Sequence, residues 1–155
     1  MDELVSRAKE IISKILYITV ATVSDRDEPW NAPVFAAYDR DYNFYWGTYR
    51  NSQKSKNIRA NPTAFLVIYD STAPAGTGEG VYIKATALEL EDLKEIKLAY
   101  DLLCVRHTAP FWKWEAVQSN APIRLYKAVP EKVWMNSGEK KDGHYVDTRV
   151  EIKLI

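Results

Sequence analysis

The sequence predicts a mainly β chain with helices (an α+β arrangement), an antiparallel β-barrel with peripheral helices. Three observations carry this. About six short segments rich in β-branched and aromatic residues recur along the 155 residues. Most connections between them are short, which favours antiparallel neighbours over crossovers. Three stretches switch to a helical period, enough to cover a barrel.

In chain order, Asp2 to Ile15 is an amphipathic helix, with Leu4, Ala8, Ile11, Ile12 and Ile15 on one face. Tyr17 to Val23 is β-branched and strand-like, and Ser24 to Glu28 is a polar turn. Trp30 to Tyr38 is a second strand; its Pro33 suits an edge or a bulge. Asn43 to Thr48 is a third, so Tyr17 to Thr48 reads as a β-meander. Asn51 to Ala60 is a short helix stopped by Asn61-Pro62. Thr63 to Tyr69 is an apolar strand, Asp70 to Gly80 a loop, and Val81 to Leu90 a long strand. Glu91 to Leu103 returns to helical spacing. Thr108 to Pro122 suggests a short helix, Ile123 to Val129 and Lys132 to Met135 two strands, and Asn136 to Gly143 a polar turn. Tyr145 to Leu154 is a last strand. No repeat or linker interrupts this order, so residues 1–155 read as one domain.

Composition narrows the function classes. At 46% hydrophobic residues the chain has enough apolar material for a core. Lys plus Arg and Asp plus Glu are both 21, which argues against bulk electrostatic binding to nucleic acid or an anionic membrane. No apolar run approaches the roughly 18 residues of a membrane helix. The charged start does not read as a signal peptide. One cysteine, Cys104, permits neither an internal disulfide nor a cysteine metal cluster, so the expectation is a reduced, cytoplasmic setting without a metal.

The segment Thr48 to Pro62 carries the chemistry. A strand ends at Thr48 and a helix begins near Asn51 or Ser52, both good N-cap residues. Free backbone N–H groups at a helix start attract anions. Hydroxyls at Thr48 and Ser52 can donate to phosphate oxygens. Lys54 sits in the first helical turn, where acids are preferred. Arg50, Lys54, Lys56 and Arg59 supply four positive charges, and no acid lies between Asp41 and Asp70. The segment fits a phosphate monoester; a solvated basic helix face is the competing reading.

Thr48, Ser52 and Lys54, followed by Asn61-Pro62 and the apolar strand Ala64 to Tyr69, closely resemble the flavin mononucleotide (FMN) phosphate motif of the pyridoxamine 5′-phosphate oxidase-like split-barrel family. The order of elements agrees from Tyr17 to Leu90, with a weaker match from Arg124 to Ile152. The resemblance implies an FMN-binding split β-barrel that works as a homodimer with flavin at the subunit interface. It implies that Thr48, Ser52 and Lys54 hold the phosphate, with Gln53 where the oxidases carry Arg. Asn31, Ala32, Pro33 and Val34 would run past the flavin ring, their backbone bonding its edge. Trp46 and Gly47 would flank the phosphate site, Gly47 allowing close approach. Trp134 matches a tryptophan that reaches the flavin from the second subunit, and Arg149 the arginine of a His-Asp-Arg motif.

The chain departs from the oxidases where they grip flavin and substrate. Asn31 and Ala36 replace an Arg and a Lys, and Asp147 replaces the motif histidine, with His144 nearby. The resemblance thus implies an FMN-dependent oxidoreductase acting on a small molecule, but not an efficient pyridoxamine-phosphate oxidase. A non-enzymatic flavin carrier or sensor is the alternative, as is a related barrel that binds deazaflavin or haem.

Other residues invite structural readings. His107 follows a helix and suits its C-terminal dipole better than acid–base chemistry. Cys104, among Leu102, Leu103 and Val105, reads as a buried thiol. Glu89, Glu91 and Asp92 read as a solvated strand end. Phe111, Trp112 and Trp114 read as core or dimer contact, or as a wall over the flavin.

Overall fold

The computed structural model describes residues 2–108, 112–118 and 120–155. The sequence expectation holds for most elements. Helix α1 spans Asp2–Lys14, followed by strands β1 (Tyr17–Val23), β2 (Pro29–Tyr38) and β3 (Phe44–Tyr49). Helix α2 (Gln53–Ala60) leads to β4 (Thr63–Tyr69) and β5 (Gly80–Glu89). Helix α3 (Leu93–Arg106), a single 3-10 turn (Trp114–Ala116), β6 (Ile123–Asn136), a two-stranded ribbon β7 (Lys140–Lys141) and β8 (His144–Tyr145), and β9 (Arg149–Ile152) complete the order.

The strands run in the order β3-β2-β1-β4-β5-β6-β9, all neighbours antiparallel, and β3 also pairs with β6. That last pairing closes β1 to β6 into a six-stranded antiparallel barrel. Period-2 alternation fills it: Ile18 and Val20 from β1, Leu66 and Ile68 from β4, Val81, Ile83 and Ala85 from β5 and Met135 from β6 point inward and are buried. Helix α1 adds Ala8 and Ile12 to this core, and α2 adds Ile58. A second cluster lies outside, where Ile96, Ala99 and Leu103 of α3 cover Ala37, Tyr45 and Leu125 on β2, β3 and β6. Among the described residues, the outer wall formed by β1, β4, β5 and the later half of β6 has no such helix cluster over it. There Phe65 stacks on Trp134 at 6.2 Å between ring centroids, and Tyr69 is 47% exposed.

Two strand expectations are corrected. The segment from Ile123 to Asn136 is one strand, not two. Its register on β5 shifts between Lys84 and Ala85, which face Lys132 and Pro130, leaving Glu131 as an extra residue. A bulge bends the strand without ending it and accommodates a proline that has no N–H to donate. The expected strand from Tyr145 to Leu154 is cut short. Asp142 and Gly143 both have positive φ (50° and 80°), so a hairpin folds Tyr145 onto Lys140. Ser137 N–H then bonds the Thr148 carbonyl, and only Arg149–Ile152 pair with β6.

Candidate phosphate site at the β3–α2 junction

Residues Ala36 to Tyr38 of β2 pair with Trp46 to Phe44 of β3, and there the pairing stops. Continued in register, Phe35 would face Gly47 and Val34 would face Thr48. Instead β3 continues on β6 alone, where Thr48 faces Arg124. A wedge opens between β2 and the end of β3, and α2 starts beyond it. On its other side β2 stays paired with β1 from Pro29 to Phe35. Backbone groups of Asn31 to Phe35 that point away from β1 therefore have no strand partner among the described residues. The structure thus places the Asn31–Val34 backbone on one lip of the wedge and Thr48 on the other.

Ser52 is the N-cap of α2, its Oγ accepting from Ser55 N–H at 3.4 Å. Ser52 Oγ and Ser55 Oγ are 2.8 Å apart, and Ser55 Oγ also donates to the Tyr49 carbonyl at 3.1 Å. Helix geometry leaves the Gln53 and Lys54 amides without intrahelical acceptors. Gln53 is exposed and donates through Nε2 to Asn57 Oδ1 at 2.8 Å. Asn57, itself buried, donates to Thr22 Oγ1 at 3.0 Å and ties α2 to β1. Lys54 is half-buried, and burial alone holds its pKa below the usual lysine value. Among the described residues it has no carboxylate within ion-pair distance. An ammonium that has lost water without gaining a counter-ion is primed for an anion.

Of the other cations, Arg59 is committed elsewhere. Arg59 pairs with Glu89 at 2.9 Å and also donates to the Arg50 carbonyl. Glu89 takes Arg124 at 2.8 Å and the Tyr126 hydroxyl at 3.0 Å as well. This corrects the reading of Glu89 as a solvated strand end: its side chain is 18% exposed. Burial, then the Glu89 charge, pushes the Tyr126 phenol up to about 12. Nothing in the local sequence marks Glu89, because its three donors come from two other elements, Arg59 from α2 and Arg124 and Tyr126 from β6. Asp92 is the N-cap of α3, bonding the Lys94 and Glu95 amides.

Trp46 and Gly47 have distinct surroundings. The Trp46 side chain is fully buried in the barrel, stacked on Tyr126 at 5.8 Å, so only its backbone faces the neighbouring strands. Gly47 does allow a close approach, but by Trp112: a Cβ there would lie 2.1 Å from the indole. Trp112 and Trp114 join the α3 cluster, and Phe111 lies outside the described residues. Val34 points into the core, while Ala32 is half-buried and Asn31 and Pro33 are exposed.

Trp134 stands on the wall made by β4, β5 and β6, opposite Tyr82 and Glu151, and not between β2 and β3. Arg149 lies 3.7 Å from the Tyr82 ring centre and 3.6 Å from Asp147. His144 belongs to the ribbon, paired with Lys141. His107 caps α3 and packs edge-on against Phe35 at 4.9 Å. Cys104 is half-buried. No helix among the described residues is long and apolar enough to cross a membrane.

Comparison with known proteins bears on this geometry. None of the curated proteins compared with the chain matches its sequence. Among solved structures, a candidate 5-nitroimidazole antibiotic resistance protein from Bacteroides thetaiotaomicron superposes with a TM-score of 0.70 at 14% identity, over 84% of this chain and 81% of that one. A heme binding protein from Mycobacterium smegmatis gives 0.73 at 14% identity; 97% of this chain matches 57% of it. A candidate pyridoxamine 5′-phosphate oxidase from Listeria innocua gives 0.65 at 16% identity, over 84% and 95%. At such identities these likenesses establish the split-barrel fold. The sequence profile described as pyridoxamine 5′-phosphate oxidase matches residues 4–137, most of the chain, and by that match the protein belongs to the pyridoxamine 5′-phosphate oxidase family.

Proposed function

We propose that this chain binds FMN with the phosphate at the β3–α2 junction and uses it as an oxidoreductase on a small molecule. One observation carries the reading: Lys54, the second residue of a helix whose N-cap is Ser52, is half-buried and among the described residues has no acidic partner. Lys54, the Ser52 hydroxyl and the free first-turn amides would hold a phosphate monoester. The unpaired edge of β2 from Asn31 to Val34 would bond the polar rim of the ring. FMN, when bound, supplies hydride or electron transfer; the protein positions it and sets its electrostatics.

The bare wall bearing Phe65, Tyr82 and Trp134 supports a homodimer, with Trp134 reaching the partner's flavin. The Arg149–Asp147 contact supports the view that pyridoxamine phosphate is not the substrate, since Arg149 already meets a carboxylate and Asp147 would repel a second phosphate. Haem is the second reading, favoured by the likeness to the mycobacterial heme binding protein. A flavin carrier remains the alternative to turnover.

The test is spectroscopic. Protein titrated with FMN should shift the flavin bands and quench tryptophan emission. Unchanged absorbance and emission would overturn the FMN reading, and a Soret band on adding haem would put haem in its place. Oxidation of a reductant by the holoprotein separates enzyme from carrier.

A further inference from the structure

We infer that Glu89 is a positioning residue for the anion loop, acting through Arg59; this rests on the phosphate reading of the β3–α2 junction. Glu89 ends β5. One carboxylate oxygen accepts from Arg124 Nε at 2.8 Å, and the other from Arg59 Nε at 2.9 Å and Tyr126 Oη at 3.0 Å. The same Arg59 guanidinium donates to the carbonyl of Arg50, midway between Thr48 and Ser52. Arg59 therefore links the end of β5 to the loop whose hydroxyls and amides would face the phosphate. Lysine could not do this, because an ammonium is one point of charge and the guanidinium a planar fork.

The charges explain why the acid is needed. Arg59 and Arg124 converge on one carboxylate. Arg124 is the more buried, with 13% of its side chain exposed against 41% for Arg59. Without the negative charge the two guanidiniums repel, and the freer one swings out to water. Arg50 then loses its carbonyl anchor, although its N–H still bonds the Pro122 carbonyl at 2.9 Å. Glu89 also keeps Arg59 from serving as a phosphate ligand, so selectivity for the phosphate rests on Lys54 and the loop amides. A loop that must be ordered by its ligand binds more weakly than one held ready.

The variants are Glu89→Gln, and Arg59→Lys, which retains the positive charge but not the fork. Two readouts are taken well below the melting temperature: FMN and riboflavin dissociation constants, and amide hydrogen exchange of Tyr49 to Lys54 without ligand. Either variant should exchange faster in that segment. Each should lose about five- to tenfold in FMN affinity, the scale of ordering one or two side chains, while riboflavin affinity stays within about twofold. A merely structural Glu89 would lower both affinities together or neither, and that result overturns the inference. So does tighter FMN binding in Glu89→Gln, which would make the released Arg59 a phosphate ligand, or faster exchange with an unchanged FMN preference. Should Glu89→Gln not fold, Arg59→Lys decides alone. A wild-type protein that binds no FMN would sink the FMN reading, and unchanged exchange in the variants would separately sink the clamp.

Discussion

Replacing Lys54 by alanine is the sharpest perturbation of the proposed site. The ammonium is half-buried, its pKa is lowered by burial alone, and among the described residues no acid offsets the lost hydration. At about 4 Å and an effective dielectric of about 20, a lysine and one phosphate charge attract by roughly 4 kcal/mol. The water each gives up removes much of this, and charge-assisted hydrogen bonds net about 1.5–3 kcal/mol. Lys54→Ala should therefore weaken FMN about ten- to hundredfold. Riboflavin, which has the ring but not the phosphate, should change by less than about twofold. Isothermal titration of both ligands makes the measurement, and equal losses would refute the placement of Lys54. The pH dependence has a definite sign. The free protein's Lys54 loses its proton below the ordinary lysine pKa of 10.5, and the phosphate binds the protonated form. The ratio of FMN to riboflavin affinity should fall as pH rises through that lowered pKa, and using the ratio cancels ionisation of the ring. Stability without ligand runs the other way. Between the lowered folded pKa and 10.5 the unfolded chain binds more protons than the folded one, so the burial cost is relieved as pH rises. Lys54→Ala should accordingly leave the melting temperature of the ligand-free protein no lower, a stability cost carried for binding.

The remaining predictions concern assembly, packing and substrate. Sedimentation of the FMN-loaded protein should give twice the 17.8 kDa chain mass, and Trp134→Ala should weaken FMN and riboflavin alike; a monomer that binds FMN tightly would refute the interface geometry. Gly47→Ala puts a Cβ 2.1 Å from the Trp112 ring, so the indole must move, at a cost of about 1–3 kcal/mol in denaturant unfolding; no loss would mean that Trp112 swings clear freely. FMN-loaded protein given pyridoxamine or pyridoxine phosphate in air should form aldehyde far more slowly than about 1 per second; turnover at or above that rate would show that Asp147 and Ala36 matter less than argued.

Local order was legible because local physics sets it. The period-2 run from Ile18 to Thr22, the Ser52 cap and the Asn61-Pro62 stop are decided within a few residues of chain. The Thr48, Ser52 and Lys54 spacing is likewise a one-dimensional pattern, which is why the family could be read from it. The strand from Ile123 to Asn136 was misread because a bulge is a two-strand property: Glu131 is extra only relative to Lys84 and Ala85. The start of the last strand is not legible because Asp142-Gly143 lies inside a longer polar run and only their positive φ makes a hairpin of its own there.

The site's supporting contacts belong to tertiary structure alone. Glu89 lies 30 residues from Arg59 and 35 from Arg124 in sequence, and no periodicity links them. Trp46 and Gly47 are neighbours in the motif but face opposite sides of β3, one into the barrel and one against Trp112. Which cations are left for an anion was equally invisible. Sequence counts Arg50, Lys54, Lys56 and Arg59 as four charges, while folding commits Arg59 to a carboxylate and strips water from Lys54. Sequence determined the chemistry on offer, because residue type and spacing carry it. The fold decided which of those groups remain unpaired, because pairing and desolvation depend on distances that only chain closure creates.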